Sequence, residues 1–236
     1  MGNILAIYKR EMKSYFNSPI AYIIISLFLI ISGYFYSISL FLLNEASMRN
    51  VMGIITLMFI FFIPAITMRT ISEEKKTGTI ELMLTMPIRE SEIIIAKYLA
   101  ALALLVIALV FTLAYVLTLS LLGNPDLGVI FSGYFGLIMM GGAYLALGVY
   151  ASTITENQIV SFIVGFVIIF FFFMLDKILI FMPAAIAPIL EYISIDYHFN
   201  NITRGVIDSR DVIYYLTVIV FSLALSSHTL ASRKWT

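Results

Sequence analysis

The sequence predicts an all-α, polytopic membrane protein of six transmembrane helices, and three observations carry that expectation. Hydrophobic residues make up 61% of the 236 and charged residues 12%, with a mean hydropathy of +1.03. One soluble core could not bury so much apolar surface. The apolar residues gather into six runs, 20–43, 51–68, 93–122, 129–151, 159–182 and 212–230. A hydrocarbon core about 30 Å thick takes roughly 20 residues of helix, so each run can cross it. None shows the strict alternation of a barrel strand, and a helix satisfies every backbone group without water.

Ahead of the first run, Ile4, Leu5, Tyr8, Met12, Tyr15 and Phe16 share one helical arc, with Lys9, Arg10 and Lys13 opposite. Residues 1–17 therefore read as an interfacial amphipathic helix. Asn17, Ser18 and Pro19 break it. The run at 20–43 is too long for a removable signal peptide and has no small-residue cleavage site.

Orientation follows from the cations. With the N-terminus in the cytoplasm, that side holds Lys9, Arg10, Lys13, Arg69, Lys75, Lys76, Arg89, Lys97, Arg233 and Lys234. The outer side keeps Arg49, Lys177, Arg204 and Arg210. This asymmetry predicts both termini in the cytoplasm, which an even number of spans requires. The formal net charge is zero, with no charge run suited to nucleic acid, so the lipid bilayer is the expected surroundings. Cysteine is absent, which excludes disulfides and thiolate chemistry. No repeat or linker divides 1–236, so one domain is expected.

Two segments are more than connectors or spans. Residues 183–211 begin apolar and end polar, interrupted by Pro183, Pro188, Glu191 and Asp196, a pattern suited to short re-entrant or interfacial helices on the outer face. Just before them, Asp176 and Lys177 lie roughly 25 Å along the fifth span, near the outer interface, where an anchoring role fits better than a proton site. The fourth span repeats small residues at helical spacing, Ser132 with Gly136, Gly142 with Ala146 and Gly148 with Ser152, which predicts close packing inside the chain or between subunits. Pro64 is expected to kink the second span.

The other segment is the cytoplasmic loop 71–92. A charged entry with Glu73, Glu74, Lys75 and Lys76 passes through Thr77 to a break at Gly78. Thr79 can cap a short helix carrying Ile80, Glu81, Leu82, Met83 and Leu84, which Pro87 ends. An apolar turn outside the bilayer suits docking of another protein or burial at the membrane surface. The short inner loop at Thr155, Glu156 and Asn157 reads as a polar turn or a lesser contact.

The stretch from Glu73 to Ile88, with Lys97 ten residues beyond Pro87, closely resembles the signature loop of ABC-2 type transporter permeases. The likeness extends over nearly the whole chain. Residues 198–211, with the small permeases of the gliding-motility and nitrous-oxide-reductase-maturation type in mind, look similar to that subgroup. Ala96 departs from the glycine common before the lysine. The resemblance implies a transmembrane permease subunit, an exporter, in a bacterial inner membrane. It further implies that residues 71–92 include a coupling helix seated in a cytoplasmic ABC ATPase subunit, present in two copies, beside a second permease copy or a related permease. The contact residues implied are Glu73, Glu74, Thr77, Gly78, Thr79, Ile80, Glu81, Leu82, Met83, Leu84 and Pro87, with Thr155, Glu156 and Asn157 as the second contact.

The chain itself is not expected to be an enzyme or to bind a cofactor. A phosphate-cradling loop needs glycine followed by lysine, and no glycine here is. ATP and magnesium would bind the partner. Two other functions fit parts of the sequence: a membrane anchor that recruits an ATPase without transport, and an intramembrane protease opening on Glu73 and Glu74. The second lacks the arginine expected a few residues on, and the predicted topology separates His198 from His228.

Overall fold

A computed structural model describes residues 2–42, 47–85, 87–123, 126–183 and 186–232. Arg233 and Lys234 lie outside them. The described residues form helices throughout, with no strand among them. Helix α1 (Gly2–Asn17) precedes α2 (Pro19–Phe41) and α3 (Met48–Thr67). The short helices α4 (Ser72–Lys76) and α5 (Thr79–Thr85) come before α6 (Glu90–Leu122), α7 (Leu127–Ile154) and α8 (Gln158–Ile178). Two further short helices, α9 (Ala187–Ile193) and α10 (Ile195–Ile202), lead into α11 (Ser209–Ser232). Helices α2, α3, α6, α7, α8 and α11 are each long and apolar enough to cross a membrane. The chain is thus a multi-pass membrane protein.

Local chemistry sets where these helices begin. The Ser18 hydroxyl accepts from Ile20 N at 3.3 Å, with Pro19 in the first helical position, where its missing N–H costs nothing. Asp126 accepts from the amides of Gly128 and Val129, and Asn157 from that of Ile159. The run predicted at 159–182 stops as α-helix at Ile178 and tightens into a 3₁₀ turn, Leu179–Phe181, ahead of Pro183. Proline disfavours the helical conformation in the residue before it.

Helix α7 is the centre of the bundle, packed against α3, α6, α8, α10 and α11. Its small residues serve those contacts. A Cβ placed on Gly136 would lie 3.1 Å from Ile202 Cγ2 on α10, and one on Gly142 would lie 3.0 Å from the Tyr98 hydroxyl on α6. On Gly148 it would fall 2.3 Å from Thr67 Oγ1 on α3. Pro64 lies inside α3, which continues past it to Thr67.

Beyond α8, α9 buries none of its residues, whereas α10 turns Ile195, Phe199 and Ile202 into the bundle. Lys177 Nζ bonds both Asp176, at 2.8 Å, and Asp196 on α10, at 2.7 Å. The adjacent charges near the end of α8 therefore anchor α10. His198 adds a second tie: its Nδ1 lies 2.6 Å from Asp211 Oδ1, and its ring stacks on Tyr214 at 3.9 Å.

Helix α1 is two-sided. Of its apolar arc, Ile4, Tyr8, Met12, Tyr15 and Phe16 are half-buried and Leu5 is exposed, while Lys9, Arg10 and Lys13 opposite are exposed; the residue α1 buries most is Ile7, beside the arc, against Ile93, Ala96 and Met83. Helix α1 packs along α6 and α2, and Ile7 shares that side with Glu11 one turn later.

Candidate functional site

The segment running from α4 to α5 is held to the bundle by three sets of contacts. The first is a fork at the end of α7. Ser152 Oγ accepts from the backbone amides of both Ile71 and Ser72, each at 3.0 Å, which occupies the donors that open α4. Lys75, within the charged entry, is buried and donates to the Thr153 carbonyl.

The second set is apolar. Ile80 is 3% exposed and packs with Ile71, Ile94, Val149 and Leu230, and Met83 is 5% exposed beside Ile7 and Ile93. An outward apolar turn was expected here. Instead Ile80 and Met83, three residues apart on one helical face, seal α5 against the chain's own core. Leu82, on the other face, is 64% exposed. The side chain of Leu84 lies outside the described residues.

The third set is ionic. Lys97 on α6 is 2% exposed, and its Nζ lies 3.0 Å from Glu11 Oε1 of α1 and 3.0 Å from Glu74 Oε1 of α4. Arg10 closes the square, with Nη2 at 3.0 Å from Glu11 and 2.8 Å from Glu74. It also reaches Met83 Sδ at 3.5 Å. Two cations thus face two carboxylates, which offsets part of the cost of burying the charges, while Glu74 Oε2 is buried with no hydrogen-bond partner among the described residues. Burial raises the Glu11 carboxyl, but Lys97 and Arg10 outweigh it and hold it below the ordinary value. The ionised form therefore contributes stability at neutral pH, which is lost as pH falls through that depressed value. Acidification below about pH 4.5 is expected to lower the thermal midpoint of the purified chain, and Glu11→Gln to flatten that acid limb. An unchanged acid limb in the variant would count against the assignment.

Gly78 divides the two short helices. Its φ of 71° is left-handed, a conformation open to glycine at little cost, and it ends α4. Thr79 does not cap α5 as expected. It occupies the first helical position, and its hydroxyl donates back to the Glu74 carbonyl at 3.4 Å, closing the end of α4 instead. Thr77 bonds the Glu73 carbonyl at 2.9 Å. Among the described residues, what faces outward is a largely polar ridge that carries Leu82: Glu73, Lys76, Thr77, Thr79, Glu81, Leu82 and Thr85 are exposed, as is Pro87 beyond them.

The turn at 155–157 lies between α7 and α8, and both helices touch α4. Thr155 Oγ1 accepts from Asn157 N at 3.1 Å, and Asn157 starts α8. Glu156 is exposed. The two predicted contact segments are thus neighbours on one end of the bundle.

A sequence profile described as ABC-2 family transporter protein matches residues 5–231. The chain belongs to that family. Among curated proteins, none matches it. Membership makes the chain a membrane permease subunit that works with an ABC ATPase, and not itself the catalytic part. In the permease Glu74 Oε1 is held by Lys97 and Arg10. His198 is tied into α10 and α11 near the opposite end of the bundle, and no cluster of three metal-binding side chains occurs among the described residues.

Proposed function

We propose that this permease is the membrane part of a bacterial inner-membrane exporter whose cytoplasmic ATPase grips the ridge formed by α4 and α5. In this reading 1–236 is one permease domain with both termini in the cytoplasm. Two ATPase copies drive two permease chains, or one chain and a relative. ATP and magnesium bind the ATPase, and the direction of transport rests on the resemblance.

The observation that carries the proposal is the contrast between the two faces of the α4–α5 segment. Its inner face is fixed by the Ser152 fork, by Ile80 and Met83, and by the Lys97 ion square. Its outer face offers Glu73, Thr77, Gly78, Thr79, Glu81, Leu82 and Pro87 to a partner. A segment fixed on one side and open on the other can pass a push inward without folding away. Glu74, Ile80 and Met83 serve this function from beneath, by holding the ridge, and Glu156 with its turn supplies the lesser contact.

Leu82→Asp tests it. The residue is exposed, so insertion and folding should be unaffected. Co-purification with the ATPase should fall about tenfold or more, as for loss of a central apolar anchor. Undiminished co-purification and undiminished permease-dependent ATP hydrolysis would overturn the assignment.

A further inference from the structure

A second polar site lies between α1, α2 and the junction of α3 with α4. It is a cavity of about 200 Å³ whose charged wall is Arg69 and Glu73. The Arg69 Nε is buried with no hydrogen-bond partner among the described residues. Neither Arg69 nor Glu73 makes a salt bridge with its side chain among those residues, although only four positions separate them. Glu11 also borders the space, but its Oε1 is taken by Lys97 and Arg10. A buried donor without a partner is costly, and such groups call for an occupant.

The place of the cavity narrows the chemistry. Ser18 caps the start of one span, and Arg69 follows the end of the next, so the cavity sits where apolar helix gives way to polar chain. Ser14 and Ser18 add hydroxyls to its lining, and half-buried Ile20 and Ile24 continue along α2 toward the apolar zone. Arg69 suits a phosphate, which a guanidinium binds through paired donors. A purely anionic group would meet Glu73 and Glu11. A quaternary ammonium has no hydrogen to give a carboxylate and prefers a cage of aromatic faces, whereas this lining offers Tyr15. A primary ammonium fits Glu73.

We propose that the cavity seats the headgroup of an ethanolamine glycerophospholipid, with its phosphate on Arg69 and its ammonium at Glu73, and with the acyl chains running down the side of α2. Glu73 stands both in this lining and on the ridge proposed for the ATPase, so the site is tested on the permease chain alone, where lipid retention and ATPase docking are read separately.

The test uses the full chain in detergent, exchanged against equal amounts of phosphatidylethanolamine, phosphatidylglycerol and phosphatidylcholine with identical acyl chains. Native mass spectrometry counts the lipids retained. The wild type should keep one ethanolamine lipid per chain, about tenfold over either competitor, as one charge-assisted contact supplies. Arg69→Gln should lower its retention to that of the others. Glu73→Gln should keep the phosphate seat and erase the choice between ethanolamine and glycerol. Lys9→Gln, on the exposed side of α1, should alter neither. No preference in the wild type, or a full preference in both site variants, would overturn the proposal. Soluble glycerophosphoethanolamine at equal concentration should displace nothing, and displacement would show that the seat does not require a lipid.

Discussion

Replacing Lys97 with methionine should destabilise the permease by about 3–5 kcal/mol, the cost of removing one partner from a buried ion pair. Methionine nearly matches the lysine stem in volume, so the loss is one of charge rather than packing. With Lys97 gone, Glu11 and Glu74 share a single half-exposed guanidinium, that of Arg10. Both carboxylates lie largely out of water, where an uncompensated charge is expensive. Denaturant unfolding of the purified chain measures the effect. The double variant Lys97→Met, Glu74→Gln should recover a substantial part of the loss, because it leaves Glu11 with Arg10 and no surplus anion. A loss below about 1 kcal/mol in the single variant, with no recovery in the double, would mean that water already screens the square.

Gly148→Ala should be the most costly glycine substitution in α7, at about 1–3 kcal/mol. The added Cβ would fall 2.3 Å from Thr67 Oγ1 and 3.0 Å from Thr67 Cβ. Thr67 cannot swing aside freely, because its hydroxyl donates to the Ile63 carbonyl at 3.0 Å and its Cβ is tied to the α3 backbone. Helices α3 and α7 must therefore separate. Gly133→Ala is the control. There the nearest atoms are Sδ and Cε of Met52, at 2.2 and 2.6 Å, the far end of a flexible side chain. Thermal unfolding of the two variants side by side should place Gly148→Ala lower, and the reverse order would show that the α3–α7 contact yields more readily than the Met52 side chain.

The six spans were legible because lipid imposes a signal that a short window of sequence contains: unbroken apolar length, with Ser18, Asp126 and Asn157 marking where helices start. The site was legible only in outline. The break at Gly78 needs nothing beyond its neighbours. The ion square needs partners from α1, α4 and α6, and Lys97 lies 86 positions from Glu11, beyond any local pattern. Hydropathy counts such a lysine as a blemish in a span, and the resemblance marked its place without naming its partners. Ile7 was hidden for a related reason. It lies at the edge of the apolar arc, beside Glu11 one turn on, and a helical period does not say which edge of an arc meets the neighbouring helices. The apolar turn of α5 posed the same ambiguity, resolved by Ile80 and Met83 pointing in and Leu82 pointing out.

Ser152 gives the fork at the end of α7 a mechanical meaning. Two adjacent amides at the start of α4 converge on one hydroxyl, and Lys75 binds the carbonyl of the very next residue. Sliding α4 along α7 would break all three bonds at once, whereas tilting the pair together breaks none. A load applied to α4 is therefore delivered to the central helix as torque, and the far end of α7, with α10 leaning on Gly136, is where the displacement would be largest.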